Sequence, residues 1–199
     1  MKFLIELVGK VIVDPKNADS EVVFAAERAL ITSLNVGLEG VRPLAFKTLS
    51  NSVSALAKRY AAVPTPVVMQ VVFLRAGEAT RDAIGNLQSE LKGDNLKDAA
   101  VLCGNLLSWA YCQVKSGQLA VGQKETRDDP TKIVRIAETS LALACQKAKV
   151  APPGDVKLGD DFAKAEAAGD TSFTRKMIDR VIPAVVTGFG VPNDFLGCK

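Results

Sequence analysis

The sequence predicts an all-α protein, a helical bundle or basket of about seven to eight helices. Apolar residues make up 48% of the chain and aromatic residues only 6%, so alanine, valine and leucine must fill the core. Alanine favours helix, and several segments place apolar residues at the i, i+3, i+4 spacing of one helix face. No segment sustains the alternation typical of a strand. We therefore expect no sheet.

Four helices are expected in the first half of the chain, residues 1–92. They are an apolar segment over 3–13 that would also suit a strand, a helix capped by Asp19 or Ser20 and ended by Gly37 and Gly40, a helix from Pro43 to Pro64, and a helix from Val67 to Leu91. The second helix carries an apolar stripe formed by Val22, Val23, Ala25, Ala26, Ala29, Leu30, Ser33 and Leu34. Gly93-Asp94 is the best internal boundary.

The second half, residues 93–199, is predicted to hold four more helices. They cover Asn95 to about Val114, about 131–149, 156–168 and 172–187, with a long loop over 115–130 and an irregular tail from Gly188. At an offset of 87 residues, Pro43, Ala55, Leu56, Ala57, Ala61, Val63 and Pro66 recur as Pro130, Ala142, Leu143, Ala144, Ala148, Val150 and Pro153. Two pseudo-repeated halves explain this echo, and so does the general similarity of alanine-rich helices.

Charge and hydropathy argue against a nucleic-acid partner and against a membrane-spanning segment. The net charge is only +3 and the basic residues are scattered, whereas a nucleic-acid binder shows a basic stripe with interleaved aromatics. Residues 3–13 are interrupted by Glu6 and Lys10, and 181–191 is short and contains Pro183, so neither reaches the roughly 18 apolar residues of a span. No complete signal peptide follows Met1, which is either the true start or a point within a longer precursor.

Catalytic chemistry is not expected. The chain has no histidine, which removes the Ser-His-Asp triad and every histidine-containing zinc site. No glycine-rich loop that could bind phosphate is present, and the acidic pairs Asp128-Asp129 and Asp160-Asp161 read as solvated loop residues. Enzyme function and a metal site are therefore not predicted.

The four cysteines leave three alternatives open. Cys103 and Cys112 lie nine residues apart on one helix and so on opposite faces, and no CxxC occurs among these two, Cys145 and Cys198. They are buried thiols, or two of them form a disulfide in an oxidising compartment, or one holds a chromophore covalently.

The end of the third helix carries a family resemblance. Ala55-Leu56, Lys58, Ala61, Val63-Pro64, Val68-Met69 and Val71, with Lys10, Ile12-Val13, Ala18-Asp19 and Ala25-Ala26 upstream, resemble the peridinin–chlorophyll a proteins of dinoflagellates. A weaker likeness covers Asp94, Asp98-Ala99-Ala100, Gly104 and Ser108 to Tyr111, and 176–182 resembles the family segment at 10–13. The last likeness implies a repeat register that competes with the 87-residue echo.

The resemblance implies an apolar basket of helices around peridinin and chlorophyll a. It implies pigment contacts at Ala26, Ala29, Leu30, Tyr60, Met69, Trp109 and Tyr111. Small residues such as those at 25, 29 and 57 leave room for flat pigments, or only let helices pack closely. Leu30 stands where the family has the histidine that holds the chlorophyll magnesium through water, and leucine offers no donor. Carotenoid binding needs only apolar walls and is less affected.

The expected function follows from that family. The resemblance implies a non-catalytic light-harvesting or photosystem-associated protein of the thylakoid lumen, either a pigment carrier or a structural subunit docked on photosystem or antenna subunits. The alternative is a pigment-free assembly protein, a coat or scaffold subunit, for which the low aromatic content and missing catalytic groups are equally suitable.

Overall fold

The structure, a computed structural model, describes residues 2–14, 16, 20–36, 40–86, 90–118, 130–154, 156–168, 171–195 and 198. Of Ser20 and 166–168 only the backbone is described. The described residues form helices, turns and no strand, which confirms the predicted all-α class. None of the described helices is long and apolar enough to cross a membrane.

The helices follow the predicted order. Their bounds are α1 Lys2–Val13, α2 Ser20–Val36, α3 Val41–Arg59, α4 Val67–Asn86, α5 Gly93–Ser116, α6 Pro130–Ala148, α7 Leu158–Ala168, α8 Ser172–Lys176 and α9 Ile182–Phe189. A π-helical segment, Met177–Val181, joins α8 to α9 without a break. The predicted cap Asp19 and most of the predicted 115–130 loop lie outside the described residues. The fourth helix ends at Asn86 rather than at Leu91, which is non-helical and buried.

Helix α5 is the centre of the bundle. It packs against α3, α4 and α6 and also touches α7, α8 and α9, while α1, α2 and α3 pack on one another and α7 packs on α6. Residues 102–113 of α5 are all buried. One hydrophobic core holds side chains from both sides of the predicted boundary at residue 93. The duplication stays a prediction, although α3 and α6 each have 19 residues and each packs on α5.

The segment that would also suit a strand is a helix, α1, which packs closely against α3. A Cβ on Gly9 would come within 2.5 Å of Cγ2 of Thr48, so a side chain at this position would require Thr48 to shift. The Ser52 hydroxyl donates to the Gly9 carbonyl at 3.3 Å. At the far end of α1, the Arg59 guanidinium donates to the Val13 carbonyl. Sequence and packing therefore agree on this segment.

Helix α2 buries a face that differs from the predicted stripe. The buried positions are Val23, Ala26, Glu27, Leu30 and Leu34, a single i, i+3, i+4 row. Val22, Ala25 and Ala29, which the stripe included, are exposed. Glu27 was not predicted to be buried, because a carboxylate is rarely found inside without a partner. The error was in treating every alanine as a core residue.

The turn between α3 and α4 is fixed by side chains of α5. The Trp109 indole N–H donates to the Thr65 hydroxyl at 2.8 Å. The Gln113 amide lies 2.8 Å from the carbonyl of Tyr60 and 3.1 Å from those of Ala61 and Val63. We call these contacts the turn lock. Gln113 thereby satisfies backbone carbonyls that have left the helix, including that of Tyr60, which Pro64 has no N–H to pair with.

The C-terminal helical run was predicted as one helix and is interrupted by the π-helical segment. Pro183 has no N–H, so it cannot donate to the carbonyl four residues earlier, and the helix widens just before it. Beyond Gly190, whose φ of 60° ends α9, Val191 and Phe195 are buried. The Phe195 ring lies on Gly104, where a Cβ would come within 2.9 Å of it.

A disulfide ties this tail to the central helix. Cys112 of α5 is bonded to Cys198, which lies 86 positions further along the chain, and their Cα atoms are 5.3 Å apart. Cys103 and Cys145 are buried free thiols. Two of the three alternatives for the cysteines therefore coexist.

Replacement of Thr65 tests the turn lock. We expect Thr65→Val to lower the free energy of unfolding by about 1–3 kcal/mol, because the buried Trp109 N–H loses its acceptor. Thr65→Ser keeps the hydroxyl and should lose only about 0.8 kcal/mol for the missing methyl. Urea denaturation followed by circular dichroism measures both. On a Trp109→Phe background the cost of Thr65→Val should shrink, and an unchanged cost would refute the hydrogen bond.

Reduction of the Cys112–Cys198 bond should destabilise the protein. Closing a loop of this length constrains the unfolded chain by about 4 kcal/mol. Urea midpoints with and without dithiothreitol give the difference. Cys112→Ser/Cys198→Ser is the control and should not respond to the reductant. Equal midpoints for the wild-type protein under both conditions would show that the bond adds nothing to stability.

Candidate functional site

A groove of about 710 Å³ runs between α4 and α6. Its lining comprises Phe24 of α2, Val71, Leu74, Arg75, Glu78 and Arg81 of α4, and Lys132, Arg135, Ile136 and Thr139 of α6. We call it the α4–α6 groove. It is larger than two other hollows of the described residues, of about 270 and 390 Å³. Its volume lies within the range of small-molecule sites, about 300–1,000 Å³.

The groove exists because α4 and α6 approach closely at one point. A Cβ on Gly77 would lie 2.7 Å from Cγ2 of Ile136, so the absent side chain admits the isoleucine. The Ser140 hydroxyl donates to the Gly77 carbonyl at 3.3 Å. The lining residues of each helix recur at spacings of three and four and therefore share one face.

Apolar side chains form one part of the lining. Ile136 is buried, and Phe24, Val71 and Leu74 are partly buried. These four come from three helices, so the apolar surface spans α2, α4 and α6. An apolar body could lie on it and be shielded from water on that side.

Cations outnumber carboxylates in the lining. Arg75, Arg81, Lys132 and Arg135 face one carboxylate, Glu78. Two of the cations also have acidic neighbours outside the groove, since Arg81 pairs with Asp82 at 2.9 Å and Arg135 with Asp160 at 2.7 Å. Both pairs are exposed, and exposed ion pairs contribute about 0–1 kcal/mol. Their guanidinium groups can turn toward an anion at little cost.

Arg75 and Glu27 form a charged pair beneath the groove. Nε of Arg75 lies 3.6 Å from Oε1 of Glu27, whose side chain is 0% exposed while that of Arg75 is 29% exposed. The guanidinium carbon also lies 4.6 Å from the centre of the Phe24 ring, a cation–π distance. Neither carboxylate oxygen of Glu27 has a hydrogen-bond partner among the described residues.

Burial raises the pKa of the Glu27 carboxyl from 4.5 to about 7, although Arg75 and Arg28 favour its ionised form. Desolvation is the dominant cause because the carboxylate has left water and gained no hydrogen bond. Glu27 therefore exists near neutral pH as a mixture of charged and neutral forms. Strongly shifted groups of this kind concentrate at functional sites.

Sequence reasoning named none of the residues of this pair. The charged side chain of Glu27 argued against burial. Its position, four residues after Val23 and three before Leu30, nevertheless places it on the buried row. Arg75 read as an ordinary surface residue of α4. A row that runs Val23, Glu27, Leu30, Leu34 is the signal that could have identified the carboxylate.

The seven residues predicted to contact pigment lie in two regions outside the lining of the α4–α6 groove. On α2, Ala26 and Leu30 are in the core and Ala29 is exposed. Near the turn lock, Met69 and Trp109 are buried and Tyr60 is partly buried. Tyr111 is buried on α5, and the Trp109 ring stacks edge-on against Phe73 at 5.3 Å.

Other chemical groups are placed away from the groove. Cys103 and Cys145 are buried thiols whose pKa values are raised by burial, which makes them poor nucleophiles for covalent attachment. Asp161, predicted to be solvated, is instead buried in the first turn of α7 and pairs with Lys176 of α8. No cluster of three or more histidine, cysteine or acidic side chains that could hold a metal occurs among the described residues.

The raised pKa of Glu27 predicts a pH-dependent stability. The folded protein keeps the proton that the unfolded chain loses above about pH 4.5, so Glu27's contribution is full at low pH and lost as pH rises through about 7. Glu27→Gln mimics the neutral carboxyl. Relative to the wild type, its free energy of unfolding should rise by about 2–3 kcal/mol between about pH 5 and pH 8.

The measurement is urea denaturation of both proteins at each pH. The difference between the two free energies of unfolding removes the contributions of other acids whose pKa values are raised by burial, such as Asp98 and Glu138. Parallel stability curves for the two proteins would mean that Glu27 titrates normally.

Comparison of the chain with family models, with curated proteins and with solved structures finds no match. Functional inference therefore starts from the groove, the buried pair and the resemblance described above.

Proposed function

We propose that this protein is a non-catalytic helical carrier that binds one elongated, mainly apolar ligand in the α4–α6 groove. The observation that carries the proposal is an apolar surface from three helices within a charged lining. Small-molecule sites have this composition, mostly apolar walls with a few placed polar groups. No step in the proposal requires a nucleophile or a general base.

The resemblance to peridinin–chlorophyll a proteins supports a carotenoid such as peridinin as the ligand. Leu30 argues against chlorophyll a held as in that family, because this side chain has no donor atom and is 1% exposed within the core. A carotenoid needs apolar walls, and Phe24, Val71, Leu74 and Ile136 supply them in the groove. The proposal therefore keeps the carotenoid and leaves out the chlorophyll.

The same resemblance supports a place in the thylakoid lumen beside photosystem or antenna subunits. The Cys112–Cys198 bond is compatible with that location, since disulfides persist where the compartment is oxidising. The proposal includes no nucleic-acid partner.

Absorbance and reconstitution test the carrier. Purified native protein should absorb in the visible range, and recombinant protein mixed with peridinin should show the carotenoid band shifted and retained through gel filtration. Leu74→Gln, which puts a polar group on the apolar surface, should weaken binding about tenfold. Val22→Gln is the matched control, because Val22 is 40% exposed and lies outside the groove lining.

Two results would contradict the carrier. One is a colourless native protein that also fails to take up carotenoid. The other is equal weakening by Leu74→Gln and Val22→Gln, which would place binding elsewhere. Thermal melts followed by circular dichroism show whether each variant is folded before binding is compared.

The second candidate, a pigment-free assembly subunit, is favoured by the start of α1. Phe3, Leu4 and Leu7 are 71%, 57% and 45% exposed, and adjacent exposed apolar side chains mark contact surfaces. The occupant in that case is a second copy of the chain, as in a coat or scaffold. Sedimentation that reports a concentration-dependent oligomer, abolished by Leu4→Ser, together with no carotenoid uptake, would select this function.

A further inference from the structure

Arg75, a cation of the α4–α6 groove, is held in place from two sides. The Phe24 ring lies 4.6 Å from its guanidinium carbon, and Glu27 lies 3.6 Å from its Nε. Its guanidinium makes no hydrogen bond within the described part of the chain, yet the side chain lines the groove and is 29% exposed. A guanidinium presents several N–H donors in a rigid plane that matches a carboxylate.

The pairing with Glu27 leaves those donors unused. An ion pair at 3.6 Å is too long for a hydrogen bond, and both oxygens of Glu27 lack hydrogen-bond partners in the described structure. The guanidinium of Arg75 is therefore oriented and charged, but its N–H donors have no acceptor in the described structure. An anion that enters the groove could accept the hydrogen bonds that Glu27 does not accept.

We propose that the ligand of the α4–α6 groove is an acidic amphiphile, whose anionic head accepts hydrogen bonds from Arg75 while its apolar body lies on Leu74 and Ile136. The inference rests on the proposed carrier function of the same groove, but it replaces peridinin, which has no carboxylate, with an acid. The acid is identified by its chemistry, a single carboxylate at the end of an apolar body, whether the body is a polyene or an alkyl chain.

The surrounding charges fit an anion. Arg81, Lys132 and Arg135 belong to the same lining, and Glu78 is the carboxylate that the head must avoid. Glu27 competes with the ligand for Arg75, so removal of its charge should strengthen acid binding. On a merely positive surface, by contrast, removal of any nearby cation would weaken acid binding to the same extent.

A matched pair of fluorescent probes tests the inference on the full-length protein. Pyrenebutanoic acid and pyrenebutanol share an apolar body and differ in the head group, and fluorescence anisotropy reports the dissociation constant of each. The acid should bind at least about tenfold more tightly than the alcohol, as a charge-assisted hydrogen bond implies. Leu74→Gln should weaken both probes.

Three variants locate the effect. Arg75→Gln should abolish the preference for the acid and leave the alcohol unchanged. Lys164→Gln, which removes an exposed charge on α7 outside the lining, should leave both constants unchanged. Glu27→Gln should strengthen the acid several-fold and leave the alcohol unchanged. Because Arg75→Gln alone leaves Glu27 buried without its partner, Glu27→Gln/Arg75→Gln is measured beside it and should also lack the preference.

The outcomes distinguish this inference from the proposed function. Equal affinities of acid and alcohol, both weakened by Leu74→Gln, would overturn the acidic ligand and leave the carrier standing. No binding of either probe, or binding insensitive to Leu74→Gln, would overturn both. Equal loss of acid binding in Lys164→Gln and Arg75→Gln would indicate a general electrostatic attraction instead of a specific contact and would overturn the assignment of Arg75.

Discussion

The burial of α5 is the constraint on which the rest of the structure depends. Because residues 102–113 are enclosed on every side, the polar atoms on this stretch need partners inside the protein. Trp109 and Gln113 find theirs in the turn between α3 and α4. The first turn of α4 is thereby placed, and the Gln70 amide donates back to the Thr65 carbonyl at 3.1 Å. The wall of the α4–α6 groove begins at Val71, one residue further on.

Glu27, which is buried, and Glu138, which is partly buried, differ in how the surrounding residues satisfy their carboxylates. Burial raises the pKa of both. Glu138 accepts hydrogen bonds from the backbone N–H groups of Leu158 and Gly159, at 3.1 and 3.2 Å, and so caps α7. Glu27 has only Arg75, at a distance that satisfies neither oxygen. The contrast assigns Glu138 to architecture and leaves Glu27 as the group without a structural role.

Helix order and most helix bounds could be predicted from the sequence, because prolines and glycines end these helices locally. Gly117, in the left-handed conformation, ends α5, and Pro64 follows the end of α3 at Arg59 within five residues. The buried face of α2 could not be read in the same way, because alanine tolerates either environment and Glu27 breaks the apolar pattern. The π-helical segment before Pro183 could not be predicted without knowing which backbone carbonyl loses its N–H donor.

The groove could not be predicted, because it depends on where two helices cross. Nothing in the sequence of α4 indicates that Gly77 faces Ile136 rather than solvent, yet that contact sets the separation of the two helices. The predicted pigment residues came from resemblance on the inner face of α2, where Ala26 and Leu30 are now enclosed by core side chains.

The resemblance implies pigment contacts on the inner face of α2, but in the structure that face packs into the core and a different residue of α2 lines the groove. The inner row of α2 packs into the core and includes Leu30, the residue that the resemblance aligns with a ligating histidine, while Phe24 lines the groove and contacts Arg75. Glu27 lies between them on the same helix and connects the enclosed row to the groove through its ion pair. An inner face filled by core side chains is compatible with the proposed binding in the groove, where Phe24 of α2 supplies an aromatic ring and Arg75 of α4 an oriented cation. In that proposal the groove would select a ligand for charge as well as shape, which an inner basket of purely apolar walls would not.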